Sequence, residues 1–297
     1  MNNVAIIGAG PAGVASSIYL KRSGIDVTLF ERKKIGGLLL NANLVENYPG
    51  FPKGIKGIDL CNLMKEQLDR WNIKPVISDV NKIVYENEYY LLKIKNRYHR
   101  FKAVILAAGT KPIKLNLIGE KKLEGRLIFY EIVDMIPKIK PQDSIIVIGG
   151  GDAAFDYSLS LIQQKAKVRI FHRSKNFKCL TLLYNRLLKS QNIKLYPSYK
   201  PIEIKENNGE VEIIFKSDNG KKIIAKSNYA LIACGREPNK DLVSKIFKNN
   251  FISGLYIVGD ANLYKFRQAG IAIGDGLLAA MKVEKFIREI NCNDKIN

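Results

Sequence analysis

The sequence predicts an α/β chain of two domains, each a doubly wound, three-layer build around a parallel sheet. Three observations lead there. Residues 4–32 (VAIIGAGPAGVASSIYLKRSGIDVTLFER) and residues 145–173 (IIVIGGGDAAFDYSLSLIQQKAKVRIFHR) can be laid over each other, so the chain repeats a unit of its own. Each copy runs in one order: a short apolar β-branched run, a glycine turn, an amphipathic stretch, a break and a second apolar run. That switch of period from 2 to 3.6 and back is a βαβ unit. Finally, 297 residues with 46% hydrophobic side chains are enough for about two ordinary cores.

The glycines of each turn have separate physical duties. The first permits the tight turn, the second lets backbone approach a pyrophosphate, and the third lets helix and strand pack closely, with phosphate at the helix N-terminus. In the first copy these are Gly8, Gly10 and Gly13, with Pro11 and Ala12 between the last two. In the second they are Gly149, Gly151 and Ala154, with Asp152 and Ala153 between. Matched strand–turn–helix context in both copies predicts two Rossmann-like dinucleotide sites.

The tips of the second strands separate the copies. At the same offset from the first glycine stand Glu31, followed by Arg32, and His172, followed by Arg173, Ser174, Lys175 and Lys178. A carboxylate accepts hydrogen bonds from ribose hydroxyls, whereas a cationic cluster suits a 2′-phosphate. The expectation is FAD on the first copy and NADPH, in preference to NADH, on the second.

Composition limits the remaining chemistry. The four cysteines, Cys61, Cys179, Cys234 and Cys292, form no C-x-x-C, and with only His99 and His172 no metal-ligand spacing exists, so no metal site is expected. No apolar run reaches the ~20 residues of a membrane-spanning helix, and no basic segment precedes a cleavage site at the N-terminus. A cytoplasmic protein without membrane insertion is expected. The net charge of +20 favours acidic protein partners, since charge complementarity speeds encounter. No nucleic-acid-binding module is evident, and nucleic acid is not expected as a partner.

Six motifs in order carry a family resemblance: GAGPAG with Glu31, IGGLLLNANLVENYPGFP (35–52), AAGT (107–110), GGGDAA with HRSKNF, ACGREPN (233–239) and GLYIVGDANLYKFRQAGIAIGDGLLAA (254–280). Together they resemble the thioredoxin-reductase-like flavoproteins. The resemblance implies a discontinuous FAD-binding domain, 1–114 with 240–297, into which an NAD(P)H-binding domain, 115–239, is inserted. It implies cofactor contacts at Gly37, Leu38, Asn47, Tyr48, Ala108, Gly109, Thr110, Gly235, Arg236 and Gly259. It also sets Asp260 against the flavin ribityl chain and Arg267, Gln268 and Ala269 at the start of a helix beside the flavin ring. A homodimer and hinges near 111–115 and 235–240 are implied in the same way.

Disulfide-reducing members of that group carry a C-x-x-C just before the second glycine turn. Laid on that pattern, this chain has Glu131 and Asp134 instead. Carboxylates cannot cycle between dithiol and disulfide. The segment Phe129, Tyr130, Val133, Asp134 (FYEIVD), with its valine one place later than in the pattern, is similar to the FY-x-V-x-D of the thioredoxin-reductase-like ferredoxin–NADP⁺ reductases, which implies electron transfer between NADPH and an acidic ferredoxin or flavodoxin. Two departures stand against that subgroup: VENYPGFP is closer to the thioredoxin-reductase version, and no covering extension follows the last helix, which would leave a flavin face more open. An NAD(P)H oxidase or quinone reductase, an atypical disulfide reductase using Cys179 or Cys234, and a non-enzymatic flavin-binding redox sensor are the alternatives. No side chain is assigned as catalytic nucleophile, because the cofactors carry the chemistry.

Overall fold

The computed structural model describes residues 4–243, 253–262 and 266–293. Two compact units emerge, one comprising residues 1–40, 45–111 and 238–297, the other residues 41–44 and 112–237. Both have the α/β, three-layer form.

In the first unit the apolar run VAII becomes the strand Val4–Ile7, central in a parallel sheet whose neighbours are Val27–Glu31 and Ala103–Leu106, with Val76–Ile77 and Leu255–Ile257 at the edges. All four of its residues are buried, as a strand covered on both faces requires. One face looks at an antiparallel meander of Val80–Glu86, Tyr89–Ile94 and Arg97–Phe101, where Ala5 and Ile7 meet Ile83, Tyr90, Leu92 and Phe101. Helix Pro11–Arg22 packs against the long helix Ala269–Asn293. Proline at its first position is preorganised for a helix start. The helices close tightly because Gly276 lies at their crossing: a Cβ there would sit 2.3 Å from the Ala12 carbonyl oxygen. Ser16 joins them, its hydroxyl donating to Ala12 O at 2.8 Å and Gly276 O at 2.9 Å.

The second unit repeats the plan. Its parallel sheet runs Ile193–Pro197, Lys167–His172, Ser144–Ile148, Tyr229–Ile232, Ile128–Phe129. Alternation along Ser144–Ile148 divides the core: Ile145 and Val147 pack with Phe155 and Leu161 of helix Asp152–Gln163, while Ile146 and Ile148 face the other way. There they meet Ile213 and Phe215 of the meander Tyr199–Asn207, Glu210–Ser217, Lys222–Ser227. Each buried aliphatic side chain contributes roughly 1.5–3 kcal/mol, so the strand is held from both sides. Phe171 stacks on Phe215 with ring centroids 3.9 Å apart and on Tyr196 at 4.5 Å.

Candidate functional sites

The first glycine turn, in the first unit, is fixed by three backbone hydrogen bonds: Gly8 N to Phe30 O, Ala107 N to Ile7 O and Gly36 N to Ala9 O, each 2.8 Å. Gly8 has φ +106°, and a Cβ on it would lie 2.3 Å from Ala107 O. On Gly13 a Cβ would lie 1.8 Å from Gly8 O, so the turn and the helix start touch backbone to backbone. Gly10 differs, since nothing lies within 4 Å of where its Cβ would be. The half-exposed helix start at Gly10 and Pro11 therefore faces an open cradle, bare of side chain, which suits a pyrophosphate.

Glu31 closes one end of that cradle. Its carboxylate accepts from Ala9 N and from Lys33 N, each at 2.8 Å. Each oxygen keeps a lone pair for a ribose hydroxyl. Arg32 reaches Asp79 at 3.9 Å. Gly37 begins a short 3₁₀ turn over the cradle, its Cβ position 3.3 Å from Gly10 Cα, with Leu38 half-buried beside it. Ala108, Gly109 and Thr110, all half-buried, follow the strand Ala103–Leu106, and Gly109 O accepts from Asn239 N at 2.9 Å. Asn47 donates to Gln268 at 2.9 Å, joining two expected contacts far apart in sequence. Tyr48 lies against Phe51, ring centroids 6.0 Å apart. Asp260 and Arg267 are each engaged in polar contacts, and Ala269 opens the last helix. These donors, acceptors and the side-chain-free cradle fit an FAD.

Two features of this site escape a reading of the motifs. Asp275, inside the last helix, accepts from Gly259 N at 2.8 Å and so pins the turn that carries Asp260. Gly36, with φ +110°, leaves no room for a side chain because Cys61 Sγ would be 2.3 Å from its Cβ. Burial pushes the Cys61 thiol up to about 12.

The second turn, in the second unit, makes the corresponding bonds: Gly149 N to Phe171 O at 3.0 Å, Ala233 N to Ile148 O at 2.7 Å and Lys178 N to Gly150 O at 2.7 Å. Gly151, like Gly10, has nothing within 4 Å of its Cβ position. Asp152 accepts from Leu180 N at 2.7 Å, so the loop after the second strand is stitched to the turn at two points. Arg173, Lys175 and Lys178 are exposed on that stitched loop, and Ser174, half-buried, accepts through its carbonyl from Ser198 N at 3.2 Å. Ala153 is exposed at the helix start and Ala154 buried beneath it. The cradle and the cations fit a phosphorylated dinucleotide.

His172 has a different part from its neighbours. Its ring lies on Gly150, where a Cβ would be 2.3 Å from Nδ1, and stacks on Phe177 at 5.3 Å. Desolvation, helped by Arg173 and Lys178, holds its pKa below the usual imidazole value despite a contact from Nε2 to Asn176 O at 3.2 Å. The positive charge of the cluster therefore belongs to Arg173, Lys175 and Lys178. Arg236 is likewise committed within the unit: its guanidinium donates to Glu131 at 2.6 Å, while Gly235 O accepts from Ile113 N at 3.0 Å.

A family model described as "Pyridine nucleotide-disulphide oxidoreductase" matches residues 2–280. The chain belongs to this family. The thioredoxin reductase of Bacillus subtilis (strain 168) is 30% identical over 307 residues, covering 97% of this chain and 95% of that protein. The crystal structure of Lactococcus lactis thioredoxin reductase superposes with a TM-score of 0.88 at 28% identity, over 97% of this chain and 100% of that one. Thioredoxin reductase from T. acidophilum gives 0.83 at 25% identity, over 95% and 97%. The protein is thus an FAD-dependent pyridine nucleotide oxidoreductase of thioredoxin-reductase type, a group that uses FAD and NADPH.

Where a redox dithiol would stand by resemblance, the two carboxylates part company. Glu131 is partly buried, bound by Arg236 and by the Asn41 amide at 2.8 Å; the Asn41 carbonyl in turn accepts from Val133 N at 3.1 Å. Tyr157, buried beneath, has its phenol raised by desolvation and by Glu131. Asp134 is exposed in the short helix Ile132–Met135. Among the described residues all four cysteines are free, no cluster could hold a metal, and no helix is long and apolar enough to cross a membrane.

Proposed function

We propose that this chain passes electrons between NADPH and a one-electron protein carrier of the ferredoxin or flavodoxin class, without a protein disulfide in between. The observation that carries the reading is residue 131: where the resemblance to disulfide-reducing members calls for a cysteine stands a carboxylate, paired with the Arg236 guanidinium and hydrogen-bonded by the Asn41 amide. Bound FAD would supply the chemistry, taking two electrons as hydride and releasing them singly. The protein's own part is to seat the isoalloxazine-bearing dinucleotide on Gly8–Gly13 and Glu31 and the reductant on Gly149–Ala154, Arg173 and Lys175. Cys179 and Cys234 are poorly suited to a relay: desolvation raises Cys179 and lifts Cys234 to about 11, leaving little thiolate at neutral pH. Basic charge supports an acidic carrier. Cytoplasmic residence belongs to the same proposal. So does a homodimer, for which the exposed Leu278 and Met281 of the long helix supply apolar surface.

The names of the relatives favour a second reading, reduction of thioredoxin. An anaerobic titration separates the two. One equivalent of NADPH should bleach the flavin, and ferredoxin or flavodoxin should restore the colour at the same rate in a variant with all four cysteines changed to serine. Reoxidation by thioredoxin alone, lost in that variant, overturns the proposal in favour of the second reading. Reoxidation by a quinone or oxygen alone overturns it in favour of an oxidase, and absence of bleaching leaves a flavin-binding sensor.

A further inference from the structure

The outer face of the meander at 199–227 carries two charged rungs of opposite design. In one, Glu212 lies in register between Lys205 and Lys226 and pairs with them at 3.0 and 3.5 Å. In the other, Lys216 lies in register between Lys200 and Lys222, so three ammonium groups stand on adjacent strands, which are about 4.8 Å apart. Like charges directly opposite one another destabilise a sheet. Among the described residues none of these three exposed lysines makes an ion pair. The acids nearest along the strands are Glu203, on the intervening rung with Ile214 and Ile224, and Asp218 in the turn after Lys216.

Apolar surface accompanies the lysine row. Ile224 is 63% exposed, and Ile202, which lies at the register shift between Pro201 and Glu203, is 37% exposed. A sheet built for stability alone gains by an acid at 216, as it has at 212. The row left uncompensated matches negative charge from outside. Aliphatic contacts ringed by lysines suit a protein surface with an acidic rim. A single-stranded nucleic acid would call for stacking aromatics, and the outward residues of these rungs include none.

We infer that Lys200, Lys216 and Lys222, with Ile202 and Ile224, form the docking face for an acidic protein. Resting on the function proposed above, that protein is the one-electron carrier.

The test uses the full-length flavin-loaded protein, with a flavodoxin and a 2Fe–2S ferredoxin as probes. Binding is measured by fluorescence anisotropy, separately from carrier reduction. Changing Lys200, Lys216 and Lys222 together to Gln should weaken binding at least about tenfold and raise the carrier KM, with flavin reduction by NADPH unchanged. An equal charge change at Lys53, Lys65 and Lys74 should shift binding less than about twofold. Equal losses in both triples, no loss in the first, or no binding by the wild type each overturn the docking face. Binding that depends on the row but delivers no electrons leaves the docking face standing and overturns the proposed activity. Lys216→Glu guards against misfolding as the explanation: it rebuilds the Lys–Glu–Lys rung, so the melting temperature should rise while binding falls. Undiminished binding in that stabilised variant also overturns the inference.

Discussion

The two glycine turns share three backbone hydrogen bonds, each within 0.2 Å of its counterpart in the other copy, and then diverge at the residue between the first two glycines. In the first turn that residue is Ala9, and its amide is taken by the Glu31 carboxylate. In the second it is Gly150, and the ring of His172 lies where a Cβ would be. The strand-tip side chain and the turn residue have to be chosen together: an anion reaches in to the amide, whereas a flat ring covers the chain. The third glycine position diverges too. Gly13 has no room for a Cβ, while Ala154 carries one in full burial. One scaffold thus presents two different cradles by altering what sits on the turn and leaving its hydrogen bonds alone.

Exchanging the third position should break the comparison most severely. Gly13→Ala forces a Cβ against the Gly8 carbonyl, backbone that cannot swing aside. We expect a loss of about 3 kcal/mol or more and protein purified largely without flavin. The reciprocal change, Ala154→Gly, costs about 2 kcal/mol, the loss of one buried methyl added to the difference in helix propensity, with NADPH binding retained. Chemical denaturation and the ratio of flavin absorbance to protein measure both. Full flavin content in Gly13→Ala would remove the claim that the first turn is the tighter of the two.

A smaller effect sharpens the pairing of turn and tip. Gly150→Ala presses on a side chain, not on backbone, and should cost about 1–3 kcal/mol. His172→Ser in the same chain should restore most of it, giving a favourable coupling in a double-mutant cycle. Additive losses would mean that the ring and the turn do not constrain each other.

Much of this architecture was legible in the sequence because its signals are local. The repeat, the period-2 runs and the glycine spacing each lie within about thirty residues, the span of one βαβ unit. What was not legible joins distant residues. Ser16 reaches Gly276 across 260 positions, and Glu131 meets Arg236 across 105. The GREPN segment placed Arg236 among cofactor contacts, and only the fold gives it an internal partner. The lysine row is invisible without strand register, which a bulge after Pro201 resets. His172, grouped with cations by sequence position, is set apart by the direction of its ring.

That ring supplies the smallest effect and a sign that can be checked. Burial, then Arg173 and Lys178, hold the folded-state pKa of His172 below its unfolded value, with the Asn176 carbonyl opposing them. Above the unfolded pKa of about 6.5 the imidazole is neutral in both states, and its packing on Gly150 is fully present. As pH falls below that value the unfolded chain takes up a proton that the folded one resists, so stability drops until the folded pKa is passed. Melting temperatures followed from about pH 7.5 to about pH 5.5 should therefore decline more steeply in the wild type than in His172→Gln. A wild-type slope equal to that of His172→Gln would mean that the imidazole takes up its proton as readily in the fold as in the unfolded chain, and the second strand tip would then lose its neutral plate as the pH falls through about 6.5.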